Sequence, residues 1–128
     1  MSPEFYKVLH ILGIMLMFCT LGGLAMLSWQ TRGAQAVKDE VTAARKRLTM
    51  LHGIAMLVIL VAGFGLMAKL GMMKGWPVWI YGKLAIWLLF GAAATAVRKL
   101  ADHGKLWIGL LPLLGAIAAY LAVVHPGG

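Results

Sequence analysis

The sequence is poor in charge, and above all in acidic side chains. Charged residues make up 12% of its 128 positions, about half the usual share of soluble domains. Hydrophobic residues make up 62%, and a soluble domain of this length cannot bury so much apolar surface. The composition therefore excludes a soluble enzyme and a disordered chain. It predicts an integral membrane protein that forms a single domain over residues 1–128.

Cysteine is also scarce, and carboxylates are absent from the long apolar stretches. Cys19 is the single cysteine, so no disulfide scaffold can form within the chain, and its apolar neighbours predict a small buried side chain. The absence of intramembrane carboxylates removes the proton relay or cation-coupling site that many small transporters use. The sequence also lacks a phosphate-binding glycine loop, a cysteine pair for zinc and a Ser-His-Asp arrangement.

Four apolar stretches are long enough to cross a hydrocarbon core of about 30 Å, which takes roughly 20 helical residues. They lack the alternating pattern of barrel strands, and the first is too long for a secretory signal. Residues 34–48 have a helix-forming composition and are expected to extend the first or second span beyond the membrane face. The predicted fold is all-α, a four-transmembrane-helix up-and-down bundle with spans at about 5–29, 48–68, 77–97 and 106–124.

The basic residues predict how this bundle is oriented. Most of them flank the first and third connections: Arg32, Lys38, Arg45, Lys46, Arg47, Arg98, Lys99 and Lys105. Because positive loops stay in the cytoplasm, both termini are predicted on the non-cytoplasmic side of the inner (plasma) membrane, in a multi-pass protein.

A formal charge of +8 would suggest nucleic acid in a soluble protein. Between apolar spans it indicates anionic lipid headgroups instead, so the bilayer is the expected partner and nucleic acid is not.

Small residues recur within the spans and predict how the helices pack. They occur at Gly22-Gly23, Gly63, Gly65, Gly91 and Gly115. Small side chains let helix backbones approach closely, which is how helices associate in lipid. The pattern indicates packing within one bundle, or against a partner in a homo-oligomer or larger membrane complex.

Few polar side chains remain within the spans to carry chemistry. His10 shares a helical stripe with Gly13, Met17 and Thr20. A neutral imidazole facing a bundle is a good haem-iron ligand, and the Met17 sulfur is another candidate. The structural alternative for His10 is a hydrogen bond to a neighbouring helix, and the alternative for Met17 is packing.

His52 lies a turn inside the opposite face, so its predicted separation from His10 in depth is roughly 15–20 Å. Two imidazoles on one iron lie only about 4 Å apart, so these two histidines cannot share a haem. Any site is therefore either outer or inner. The outer set is His10, Lys83, His125 and Tyr81, and the inner set is His52, His103 and Arg98.

Lys83 lies about six residues into the third span, where a lysine is a functional candidate. An ammonium at that depth would bind the propionate of a tetrapyrrole or the carbonyl of a quinone. The alternative is that the side chain snorkels to the outer interface, which its depth allows.

Three stretches carry a family resemblance: Tyr6 to Leu12 with its Lys-x-x-His start, Arg47 to Leu66, and Trp79 to Ala85 with Trp-x-x-x-Lys-Leu. Together they resemble the HemJ-type protoporphyrinogen oxidases and the CopD- and SirB-like membrane proteins. In that family the first-helix histidine is associated with haem and the lysine is functionally important, which the resemblance carries onto His10 and Lys83. The aromatic-rich continuation expected after the first histidine is absent here, so what the resemblance implies is tetrapyrrole binding.

The sequence thus predicts a small membrane protein that binds haem b or another tetrapyrrole in a redox-related role. His10 is the predicted metal ligand, and Lys83, Met17 and His125 are the further cofactor-binding candidates. The alternative is a non-catalytic accessory or assembly subunit of a membrane complex, indicated by small-residue faces in a chain with little mass outside the membrane. The residues do not decide whether the chain is an enzyme.

Overall fold

The computed structural model describes residues 2–33 and 38–124. Over these residues the fold is helical and contains no strand. Its elements are α1 (Pro3–Gln30), α2 (Asp39–Lys69), α3 (Val78–Lys99) and α4 (Gly104–Val124), with a short 3-10 helix at Ala101–His103 between the last two. Each of the four long helices is long and apolar enough to cross a membrane. The predicted number of long apolar helices is confirmed.

Local chemistry sets the helix ends close to the predicted positions. The Ser2 hydroxyl caps α1 by accepting a hydrogen bond from the backbone N–H of Phe5. Past the end of α1, Gly33 has a φ of 72°, and past the end of α2, Gly71 has a φ of 71°, a conformation that glycine adopts without strain. Pro77 directly precedes α3, where its missing N–H costs no hydrogen bond.

The helical extension that the sequence predicts for residues 34–48 belongs to α2 over its described part. This helix begins at Asp39, about nine residues before the predicted span. Asp39 and Glu40 lie in its first turn, where carboxylates interact favourably with the helix dipole. Residues 34–37 lie outside the described part of the chain.

The helices run up and down around α1. Tyr6 near the start of α1 packs against Gly65 near the end of α2, and Gly23 farther along α1 packs against Leu48 nearer the start of α2. The two helices are therefore antiparallel. Within the described residues α1 contacts the three other long helices, whereas α2 and α4 make no close contact. The core follows from this arrangement and includes Met17, Leu21, Leu24, Ala55, Phe90 and Val97.

Glycine allows the close contact between α1 and α2. A Cβ atom at Gly13 would lie 2.9 Å from Cγ1 of Ile59 and 3.3 Å from its backbone nitrogen. Gly115 of α4 is equally tight, since its Cβ would lie 2.6 Å from the Phe18 ring. Gly22 differs, because nothing lies within 4 Å of its Cβ position. The predicted small-residue packing is thus present at some of the glycines and absent at others.

The prediction for Cys19 was wrong, because its side chain is exposed on the outer surface of the bundle. The inward stripe of α1 contains Met17, which is 2% exposed. Cys19 follows Met17 by two positions, and residues two positions apart in an α-helix are separated by about 200° around the helix axis. Cys19 therefore faces away from the core.

Candidate functional site

A cavity of about 380 Å³ lies among the four helices, within the range of roughly 300–1,000 Å³ that is typical of small-molecule pockets. Its wall is mainly aliphatic and aromatic, with side chains from all four helices. Three of the predicted site residues, His10, Met17 and Lys83, line this single cavity. The fourth, His125, lies outside the described residues.

The His10 imidazole is held in one orientation by α2. Its Nδ1 lies 2.9 Å from the backbone carbonyl oxygen of Ile59. A carbonyl oxygen only accepts hydrogen bonds, so Nδ1 carries the proton and donates it. In the neutral ring, Nε2 then keeps its lone pair. Histidines that bind metals commonly donate their other ring N–H to a carbonyl in this way, so the hydrogen bond and a ligand role are compatible.

Two glycines make this hydrogen bond geometrically accessible. Gly63 lies one helical turn beyond Ile59, and a Cβ at Gly63 would lie 3.3 Å from Cε1 of His10. The missing side chain lets the ring reach the Ile59 carbonyl on the surface of α2. Gly13, one turn along α1 from His10, brings the backbones of α1 and α2 together against the same Ile59. The position of the His10 ring therefore depends on the absence of side chains at Gly13 and Gly63 as well as on the hydrogen bond to Ile59.

Lys83 approaches the same cavity from the second turn of α3. Its Nζ lies 5.7 Å from the centroid of the Trp79 ring, within the distance of about 6 Å at which a cation interacts with an aromatic face. It is also close enough to His10 for the two to interact electrostatically. The one ion pair among the described residues joins Arg32 to Asp102, so Lys83 has no carboxylate partner there and its charge is available to an anion.

The inner set predicted from the sequence is not assembled. His52 is buried, with 4% of its surface exposed, and lies beside the backbone of Phe90, although neither ring nitrogen makes a well-formed hydrogen bond. His103 is exposed on the 3-10 helix, and Arg98 lines a different cavity. In the outer set, Tyr81 is 58% exposed and is not part of the cavity wall.

The structure contains a second cavity, of about 570 Å³, that sequence reasoning missed. It lies at the opposite end of the bundle and is lined by cationic and hydroxyl side chains: Ser28, Thr31, Arg32, Arg45, Thr95, Arg98 and Lys99. From the sequence, these cations indicate topology and contacts to lipid headgroups, and Arg98 also belongs to the predicted inner set with His52 and His103. The sequence signal that could have indicated a shared site is a set of hydroxyl residues near the ends of α1 and α3, namely Ser28, Thr31 and Thr95. An apolar membrane span does not require such residues.

His10 is the metal-binding type of side chain that both the sequence and the first cavity point to. The described residues contain no group of three or more His, Cys, Asp or Glu side chains that could hold an ion. A haem needs only one or two axial ligands from the protein, and His10 can provide one.

Compared with known protein families, with curated proteins and with solved structures, the chain has no significant match. The resemblance to HemJ-type, CopD- and SirB-like proteins therefore stays a prediction.

Proposed function

We propose that this chain is a multi-pass protein of the inner membrane that binds haem b or a related tetrapyrrole and has a redox-related role. One observation carries the proposal. His10 donates through Nδ1 to the Ile59 carbonyl and lines an apolar cavity together with Lys83. That combination provides an oriented nitrogen lone pair, an apolar wall and one unneutralised cation in the same place.

Each residue has a distinct role in this proposal. His10 would bind the iron through Nε2, with the Ile59 carbonyl fixing the plane of the ring. Met17 lines the same cavity, and its sulfur would be a further candidate to hold the cofactor. Lys83 would hold a propionate. When bound, haem supplies one-electron chemistry, and the aromatic and aliphatic wall limits the access of water to it. His125 remains a proposed further contact.

The direct test is a titration of the detergent-purified protein with haemin, followed by visible spectroscopy. We expect a Soret band that saturates at one haem per chain and a reduced spectrum of the b type. Protein that stays colourless after expression with ample haem, and that binds no added haemin, would contradict the proposal.

Replacement of Lys83 by methionine is expected to weaken haem binding by about tenfold to 100-fold, since a charge-assisted contact to a propionate is worth about 1.5–3 kcal/mol. The matched control is Lys74→Met, because Lys74 is an exposed lysine in the connection just before α3. Haemin dimethyl ester, which has no free propionate, should bind the Lys83→Met variant and the unmodified protein equally. An equal loss for haemin and for its ester would show that Lys83 acts through packing.

We also propose that both termini lie on the non-cytoplasmic side, because most of the basic residues lie in or beside the connection between α1 and α2 and the one between α3 and α4. Reporter fusions at residue 128 are expected to be active for a periplasmic reporter and silent for a cytoplasmic one. Fusions in the connection between α2 and α3, at Lys74, should behave in the same way. The reverse pattern would overturn this orientation.

A second candidate function, an accessory subunit of a membrane complex, is favoured by the exposure of α4. In the most apolar 18-residue stretch of this last helical segment, only 6% is buried, against 33% to 39% in the corresponding stretches of the other helices. Nothing lies within 4 Å of the Cβ position of Gly109 on this helix, so another helix could approach it closely. Mild extraction should then yield a stoichiometric complex that Gly109→Leu disrupts. A monomer insensitive to that substitution would remove this candidate.

A further inference from the structure

The second cavity concentrates positive charge in a concave site between helices. Arg32, Arg45, Arg98 and Lys99 all line it. Of these, Arg32 is already engaged, because its Nε lies 3.6 Å from a carboxylate oxygen of Asp102. Within the described residues, the other three cations have no acidic partner. The cavity therefore has a net positive charge that the described part of the chain leaves uncompensated.

Polar groups that are buried in this cavity also lack partners. Ser28 is 4% exposed, and its hydroxyl makes no hydrogen bond to any described residue. The Arg45 Nε is buried and unpaired as well, while its Nη2 donates to the Thr31 hydroxyl at 3.2 Å. A buried donor without an acceptor is destabilising. Basic residues that served only to orient the helices would extend into water and would not need a buried guanidinium nitrogen or a buried hydroxyl.

We propose that this cavity binds a phosphate-bearing anion, held by Arg45 and Arg98 with Ser28 as a buried hydroxyl donor. Phosphate oxygens accept several hydrogen bonds at once, and a guanidinium matches them with two parallel donors. The position of the cavity at one end of the apolar helices is the level at which lipid headgroups lie, and basic pockets between membrane helices bind such headgroups. The site is independent of haem, since none of these residues lines the first cavity.

The test measures binding of defined probes to delipidated protein in a neutral detergent by isothermal titration calorimetry. The probes are dihexanoyl-phosphatidylglycerol, the zwitterionic dihexanoyl-phosphatidylcholine and glycerol 3-phosphate. We expect phosphatidylglycerol to bind and phosphatidylcholine not to bind. Tighter binding of phosphatidylglycerol than of glycerol 3-phosphate assigns the site to a lipid headgroup, and equal binding assigns it to a soluble phosphate ester. Failure of both anionic probes to bind overturns the proposal.

Two neighbouring arginines provide the matched variants. Arg45→Gln is expected to weaken binding of the anionic probe about tenfold or more, because hydrogen bonds to charged groups are the strong ones. Arg47→Gln removes the same charge two residues away, from an exposed side chain outside the cavity, and should change binding less than about twofold. Equal losses would show diffuse attraction and overturn the site.

Ser28→Ala keeps the test decisive if Arg45→Gln folds poorly. Removing an unpartnered hydroxyl leaves the empty protein as stable as before or more stable, and should weaken binding of the anionic probe several-fold. Unchanged affinity in Ser28→Ala, together with unchanged affinity in Arg98→Gln, would contradict the proposal.

Discussion

His10→Ala is expected to lower haem affinity by more than about 100-fold, since even the loss of a hydrogen-bond partner behind a metal ligand costs roughly 10–100-fold. The reason is specific to one atom. Nδ1 is engaged with Ile59, so Nε2 is the nitrogen that can bind iron from the cavity wall. Haemin titration of the purified variant, followed at the Soret band, measures the change.

His103→Ala is the matched control, because His103 is an exposed histidine on the 3-10 helix and its loss should leave the spectrum unchanged. His10→Gly adds a second arm, in which added imidazole should restore the haem spectrum if the side chain acts as a ligand. A purely structural role for His10 would show no rescue. Retention of full haem affinity in His10→Ala would exclude His10 as the ligand.

The environment of His10 can be tested without changing the histidine. A Cβ at Gly63 would lie 3.3 Å from its Cε1, so Gly63→Ala should displace the ring and weaken haem binding roughly tenfold, as changes behind a metal ligand do. Gly53 lies on the same helix with nothing within 4 Å of its Cβ position. Gly53→Ala should therefore have no effect on haem affinity.

Position along each helix could be predicted from the sequence, whereas rotation about each helix axis could not. Hydropathy and helix-ending glycines predict where the spans begin and end. The distances of His10 and Lys83 from the ends of their spans then predict that both lie near the same end of the bundle. In the structure both side chains line the first cavity. Helices that are apolar all round give no strong amphipathic pattern to show which face is inward. For that reason the sequence predicts a buried Cys19, whereas the structure shows that its side chain is exposed.

Contacts that depend on the register between helices could not be predicted either, because the apolar helices carry no pattern that shows which faces meet. The bond from His10 to Ile59 joins residues 49 positions apart, and its acceptor is a backbone carbonyl with no signature in the sequence. The second cavity likewise combines hydroxyls of α1 and α3 with an arginine of α2. Composition indicates that such groups exist, but only packing brings them to one place.

Gly13→Leu is expected to destabilise the bundle by about 1–3 kcal/mol or more, the usual cost of adding volume to a packed core. The obstacle includes backbone, since the Cβ position lies 3.3 Å from the Ile59 nitrogen, so α1 and α2 must separate. That separation also pulls the Ile59 carbonyl away from His10, and haem affinity should fall together with thermal stability. Gly22→Leu adds the same side chain to the same helix where nothing lies within 4 Å. Thermal denaturation in detergent, with and without haemin, should distinguish the two variants, and equal behaviour would show that the contact between α1 and α2 does not hold the site.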